Sequence, residues 1–90
     1  MKYRVGYDLR QPGRDYSSLI KRLADWRAVK VLKSDWIIEA DNTSAAAIRD
    51  DLVRHIDPND GLLVTTLTGE AAWQKLEGTS DQFLLGKRAA

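Results

Sequence analysis

Residues 2 to 9 alternate, with Tyr3, Val5, Tyr7 and Leu9 on one side and Lys2, Arg4, Gly6 and Asp8 on the other. A period of two marks a half-buried strand. Gln11-Pro12-Gly13 breaks the pattern, and beyond it Tyr16, Leu19, Ile20, Leu23 and Trp26 recur at helical spacing. Asp15 stands where a cap belongs, and Ser17, Ser18, Lys21, Arg22 and Asp25 fall outside the apolar stripe and are expected to face water.

Two β-rich runs, Ala28 to Leu32 and Asp35 to Ala40, are separated by Lys33-Ser34 and predict a hairpin. Trp36, Ile38 and Ala40 share one face of the second run, opposite Ile37 and Glu39. Asp41-Asn42-Thr43 ends it, and a helix follows with Thr43 as its expected cap and Ala45, Ile48, Leu52 and Ile56 as its inner positions. Asp50 with Arg54 and Asp51 with His55 stand four apart on this helix, a spacing that supports weak ion pairs. Asp57-Pro58-Asn59-Asp60-Gly61 is a turn cluster, Leu62 to Leu67 predicts a last strand, and Glu70 to Leu76 reads as a short helix.

The order βαββαβ predicts an α+β, ferredoxin-like sandwich: an antiparallel four-stranded sheet with two helices on one face, plus the short C-terminal helix. Residues 1–77 form the expected domain, and residues 78–90 a tail containing Asp81-Gln82-Phe83-Leu84-Leu85, expected to be disordered or to contribute to an interface. One sheet face is left without helices, so a homodimer built across that face is expected.

Composition narrows the chemistry. Ninety residues with 43% hydrophobic and 30% charged content suit one small soluble domain rather than a disordered chain or a coiled coil. The longest uncharged run, Gly61 to Gly69, is nine residues, far short of the roughly 20 that a membrane helix needs. Met1-Lys2-Tyr3-Arg4 carries charge where a signal peptide needs apolar residues, so the cytoplasm is the expected location. With no cysteine and one histidine, the chain has no disulfide, thiolate zinc site, cysteine nucleophile or multi-histidine centre of its own. Catalysis would have to use carboxylates, hydroxyls, basic groups or a borrowed metal.

The net charge of +1 argues against a strongly basic nucleic-acid binder, but the charges are unevenly placed. Residues 1–33 carry +6 and residues 34–81 carry −7. Either the molecule is electrostatically two-sided, or a compact fold interleaves the halves and cancels the difference.

Asp8 is the most informative residue for function. It lies near the end of the first strand on the face opposite Tyr7, away from the helices. If two chains stacked their open faces about a twofold axis, two Asp8 carboxylates could hold one Mg²⁺, which could activate water against a phosphodiester. The alternative is that Asp8 simply ends its strand by accepting hydrogen bonds from turn amides. Arg10 and Arg14 flank Pro12-Gly13 and suit phosphate recognition, or else are exposed loop arginines. Ser34 at the hairpin can bind a phosphate or a metal-bound water, or serve only as a turn residue. His55 is read as a helix-end cation, and Trp26, Trp36 and Trp73 as core or interface anchors. Asp35-Trp36-Ile37-Ile38-Glu39 lacks the glycine-aromatic signature of an RNA-recognition motif.

Gly6-Tyr7-Asp8-Leu9, Lys33-Ser34-Asp35-Trp36 and the βαββαβ order resemble the small CRISPR-associated endoribonuclease-like proteins, the dimeric subunit of the spacer-integration machinery. A closer resemblance is to a bacterial SinR-like branch without an established function. It rests on Pro12-Gly13-Arg14-Asp15-Tyr16, on Asp57-Pro58-Asn59-Asp60-Gly61-Leu62-Leu63-Val64 and on Leu67-Thr68-Gly69-Glu70-Ala71-Ala72-Trp73. These resemblances imply a homodimer with Asp8 as catalytic and Mg²⁺-binding residue, RNA or DNA as partner, and weak Mg²⁺-dependent phosphodiester hydrolysis. They also imply a fifth strand that joins the partner's sheet, where Gly69 to Leu76 reads as helical instead. The competing expectation is a noncatalytic interaction or regulatory dimer that keeps the fold without the chemistry.

Overall fold

A computed structural model describes residues 1–78. Strand β1 (Lys2–Asp8) is followed by helix α1 (Ser17–Asp25), the hairpin of β2 (Val29–Leu32) and β3 (Asp35–Glu39), helix α2 (Ala45–Leu52) and β4 (Gly61–Leu67). A single turn of 3-10 helix, Val53–His55, extends α2. The four strands form one antiparallel sheet in the order β2-β3-β1-β4, and the α+β arrangement is consistent with a ferredoxin-like class.

The alternation in β1 sends Tyr3 and Val5 into the core, where they meet Leu19 and Leu23 of α1, Ile38 of β3, and Ile48, Leu52 and Ile56 from α2 and the turn after it. Both helices therefore cover the same sheet face. Ile20, expected in the apolar stripe of α1, is exposed. In a nine-residue helix the Leu19–Leu23 line alone meets the sheet, and Ile20 lies one step around from it. Asp15 does serve the start of α1, accepting the Ser17 N–H at 2.9 Å. At the other end Arg27 takes a left-handed conformation (φ 57°) while its N–H reaches the Ala24 carbonyl and the Ala28 N–H that of Leu23. That double bond stops the helix and turns the chain into β2.

The cap of α2 is one residue later than expected. Ser44 is extended and its Oγ accepts the Ala47 N–H at 3.0 Å, whereas Thr43 contributes its carbonyl to the Tyr3 hydroxyl at 3.1 Å. Replacing Ser44 with Ala is expected to cost about 1 kcal/mol. In thermal melts Thr43→Ala should cost clearly less, because the bond Thr43 makes is through its backbone. The expected pairs within α2 are also replaced: Asp50 pairs with Arg49, and Asp51 reaches across to α1.

No helix forms at Glu70–Leu76. Gly69, Lys75 and Gly78 all have positive φ, which interrupts the helical conformation, and Trp73 stays exposed rather than anchoring an apolar face. The segment instead leaves β4 at one edge of the sheet, passes Lys2, and reaches the opposite edge, where the Glu77 N–H donates to the Val31 carbonyl at 3.0 Å. Val31 and Ile37 are buried although neither belongs to the helix-side core. The helix-free face is thus covered over β2 and β3 and open toward β4 and Asp8. The expected tail contribution, Asp81 to Leu85, lies outside the described residues. No helix among the described residues is long and apolar enough to cross a membrane.

Candidate functional site

Asp8 is the last residue of β1, in register with Gly61 at the start of β4, and its side chain is 71% exposed. The hairpin lies alongside, because the Tyr7 N–H donates to the Ser34 carbonyl at 3.1 Å. Asp8 and Ser34 consequently line one shallow depression of about 300 Å³ on the open part of the helix-free face, together with Arg4, Gly6, Asp35 and Leu63. Arg4 Nη2 lies 2.6 Å from Asp35 Oδ1, a close ion pair whose angle falls outside hydrogen-bond geometry. Gly6 makes room for it: a Cβ there would sit 2.9 Å from the same oxygen.

Asp8 does not stand alone. Its Oδ2 accepts from Arg10 Nε at 3.0 Å, while Arg10 Nη1 donates to the Asn59 carbonyl at 3.2 Å and the Arg10 backbone N–H to Asp60 Oδ1 at 2.6 Å. The other oxygen of Asp60 accepts from the Tyr16 hydroxyl at 2.6 Å and the Asp57 N–H at 2.8 Å. Partial burial works to raise the Asp60 pKa, but the bonds from Arg10, Tyr16 and Asp57 and the Arg14 charge together leave it below the usual value. The Tyr16 hydroxyl is shifted upward, first by desolvation and then by its bond to Asp60. Arg14 Nη1 lies 3.6 Å from Asp57 Oδ2, and its guanidinium stands over the Tyr16 ring at 5.5 Å.

The four residues singled out from sequence therefore gather at one end of the sheet, but their surroundings differ from those expected. Both arginines are held by carboxylates or carbonyls of their own chain. A Mg²⁺ ion fits poorly here. Asp8 is neutralised by Arg10, Asp35 faces Arg4, Asp60 is taken up by three donors, and no group of three potential metal ligands occurs among the described residues. One chain does not form the magnesium site, so a shared site would need a second Asp8 from another copy.

The fold interleaves part of the charge asymmetry along the sequence. Lys2 pairs with Glu39, Arg4 with Asp35, Arg14 with Asp57 and Arg22 with Asp51, each joining a cation of the first third to an acid of the middle. Among these acids Asp51 is the second hub. Its Oδ2 accepts from Arg22 Nε at 2.6 Å and Trp26 Nε1 at 2.8 Å, tying α2 to α1. The Arg22 bond is the main reason its pKa is lowered, with burial opposing and Trp26 assisting. It borders a cleft of about 390 Å³ between the helices, lined also by Lys21, Arg54 and His55. His55 closes the 3-10 turn, as a helix-end residue should, and Trp36 donates to the Tyr7 hydroxyl at 3.0 Å beneath Lys30. The bonds of Asp51 to Arg22 and Trp26, and of Asp60 to Arg10 and Tyr16, escaped the sequence reading because these partners lie 25 to 50 residues away. The Asp-Pro-Asn-Asp-Gly cluster was the one signal available for Asp60.

Comparison with protein-family models, with curated proteins and with solved structures finds no match.

Proposed function

We propose that this protein is a noncatalytic, ferredoxin-like interaction module that works as a homodimer. The observation that carries this reading is the use of its reactive-looking charges inside the chain: Asp8 by Arg10, Arg14 by Asp57 and Arg4 by Asp35. A general-purpose nuclease surface would leave such cations free for phosphates. Leu63 and Val53, about half exposed on a domain this small, supply apolar surface for a second copy.

A second reading keeps nucleic-acid binding and weak Mg²⁺-dependent phosphodiester hydrolysis, in line with the resemblance to CRISPR-associated endoribonuclease-like and SinR-like proteins. The exposed Asp8 carboxylate at the rim of a depression shared with Ser34 favours it. In that reading Arg10 and Arg14 exchange their internal partners for phosphate, and two Asp8 residues from two copies meet.

The two readings separate in one set of assays with labelled RNA and DNA. The interaction module predicts a light-scattering mass near twice 10.1 kDa, no salt-sensitive retention of either nucleic acid, and no cleavage that Asp8→Asn removes. The nucleic-acid reading predicts retention that weakens with salt, with a log-log slope reduced by roughly 1 to 2 in the Arg10→Ala/Arg14→Ala protein. It also predicts Mg²⁺-dependent cleavage lost in Asp8→Asn at unchanged melting temperature. That second result would overturn the noncatalytic proposal.

A further inference from the structure

The two edges of the sheet are treated very differently. At one edge β2 is four residues long, carries Lys30, has a register irregularity between Lys30 and Leu32, and is met by the Glu77 N–H at Val31. Short length, lysine, bulges and a covering segment are the devices by which proteins keep a strand edge from pairing with another chain. At the other edge β4 has, among the described residues, none of them. It runs seven residues, Gly-Leu-Leu-Val-Thr-Thr-Leu, with no charge and no proline, in unbroken register with β1 from Asp8↔Gly61 to Lys2↔Leu67. Among the described residues no backbone group outside β1 bonds to it.

We propose that the outer edge of β4 is where two copies of this chain join, strand against strand and antiparallel, so that two four-stranded sheets become one. The inference rests on the homodimer reading and names its interface.

A twofold contact requires only that the edge complement itself. Pairing β4 with its copy about Val64 uses all seven residues and sets Leu63 opposite Thr65 of the other chain. Both residues alternate onto the helix-free side, so the two sheets match face to face across the seam. A strand without charge places no like charges opposite one another. The flank is self-complementary as well. Helix α2 borders the edge with the small residues Ala45 and Ala46 beside Leu62, Leu63 and Val64, leaving a hollow of about 290 Å³. Next to it Arg49 and Asp50 are well exposed and, among the described residues, paired with each other, so this flank carries both signs of charge and a copy can set Arg49 against its Asp50. Leu63, 55% exposed, is the side chain with most to gain from burial there. Such an assembly also sets the two Asp8 residues at opposite ends of the paired β4 strands, on roughly 20 Å of strand between the Gly61 positions alone, too far to share an ion.

The test compares the wild-type chain, Leu63→Lys and the control Ile20→Lys, whose site is an exposed position on α1. Light scattering over a concentration series is expected to give a dimer for wild type and Ile20→Lys, and dimerisation weakened about tenfold or more in Leu63→Lys. Hydrogen exchange on the wild-type chain guards against a misfolded variant: amides within residues 61–67 should gain protection as concentration rises. A wild-type monomer at all concentrations sinks the homodimer reading itself. A wild-type dimer that survives Leu63→Lys, or protection of residues 61–67 that ignores concentration, overturns the β4 interface and leaves the homodimer reading standing.

Discussion

Ile38→Ala is expected to destabilise the fold by about 3 to 4 kcal/mol, against about 2 kcal/mol for Ile37→Ala. The two residues are neighbours on β3 and both are buried, so composition and burial alone would score them alike. Their surroundings differ. Ile38 lies fully inside the cluster built by Tyr3, Val5, Leu19, Leu23, Ile48 and Leu52, where two helices and the sheet hold a cavity open after truncation. Ile37 faces the other way, in register with Arg4 and Val29, on the side crossed by the irregular segment that ends at Glu77. A segment without regular hydrogen bonding can settle into the vacated space, so less of the penalty survives. Against a total of roughly 5 to 10 kcal/mol for a domain of this size, the Ile38 change is close to disabling. Urea unfolding at matched protein concentration measures both, because a dimer's stability shifts with concentration. Equal costs at the two positions would mean that the helix-free side is packed as tightly as the core.

This pair also illustrates what the sequence makes legible. Alternation in residues 2 to 9 and the i,i+4 spacings Leu19–Leu23 and Ile48–Leu52 place β1, the two helices and the centre of the core, because periodicity is imposed by the face that is buried, and the β-rich runs between turn residues place the other three strands. Alternation also puts Ile37 on the face opposite Ile38, but it does not show that Ile37 is buried within a single chain, on the side where a distant, aperiodic segment returns to Val31. Glu70 to Leu76 has helical composition, but the backbone turns at Gly69, Lys75 and Gly78 outweigh a seven-residue propensity that no packing supports.

At the candidate site, position was legible and electrostatics were not. Asp8, Arg10 and Ser34 converge because β1, its following loop and the hairpin share an end of the sheet. That Arg10 would close on Asp8 and Asn59, or Arg14 on Asp57, depends on how the loop at 57–61 folds back over residues 10–16. The imbalance between the first third and the middle of the chain was a hint of this pairing, since opposite charges far apart in sequence stabilise the fold when it brings them together.

Asp51→Ala is expected to cost about 2 kcal/mol at neutral pH, the largest effect of any single polar substitution proposed. Removing this carboxylate strips the acceptor from Trp26 Nε1 and the short partner from Arg22 Nε, and leaves Arg22, among the described residues, with Asp25 at 3.6 Å. The two helices lose the polar clamp between them, while Ile48 and Leu52 still pack. The loss has a pH signature. The Asp51 pKa lies below its ordinary value of 3.8, through the Arg22 bond first, so the folded state holds this proton more weakly than the unfolded chain does. The stabilisation is therefore complete above the unfolded pKa and disappears as pH falls through the depressed folded value. In denaturant titrations from neutral to strongly acid pH, wild type and Asp51→Asn should differ by a constant amount down to about pH 4 and converge below it. A gap that stays constant into strong acid would show that Asp51 acts by shape and hydrogen bonding, without its charge.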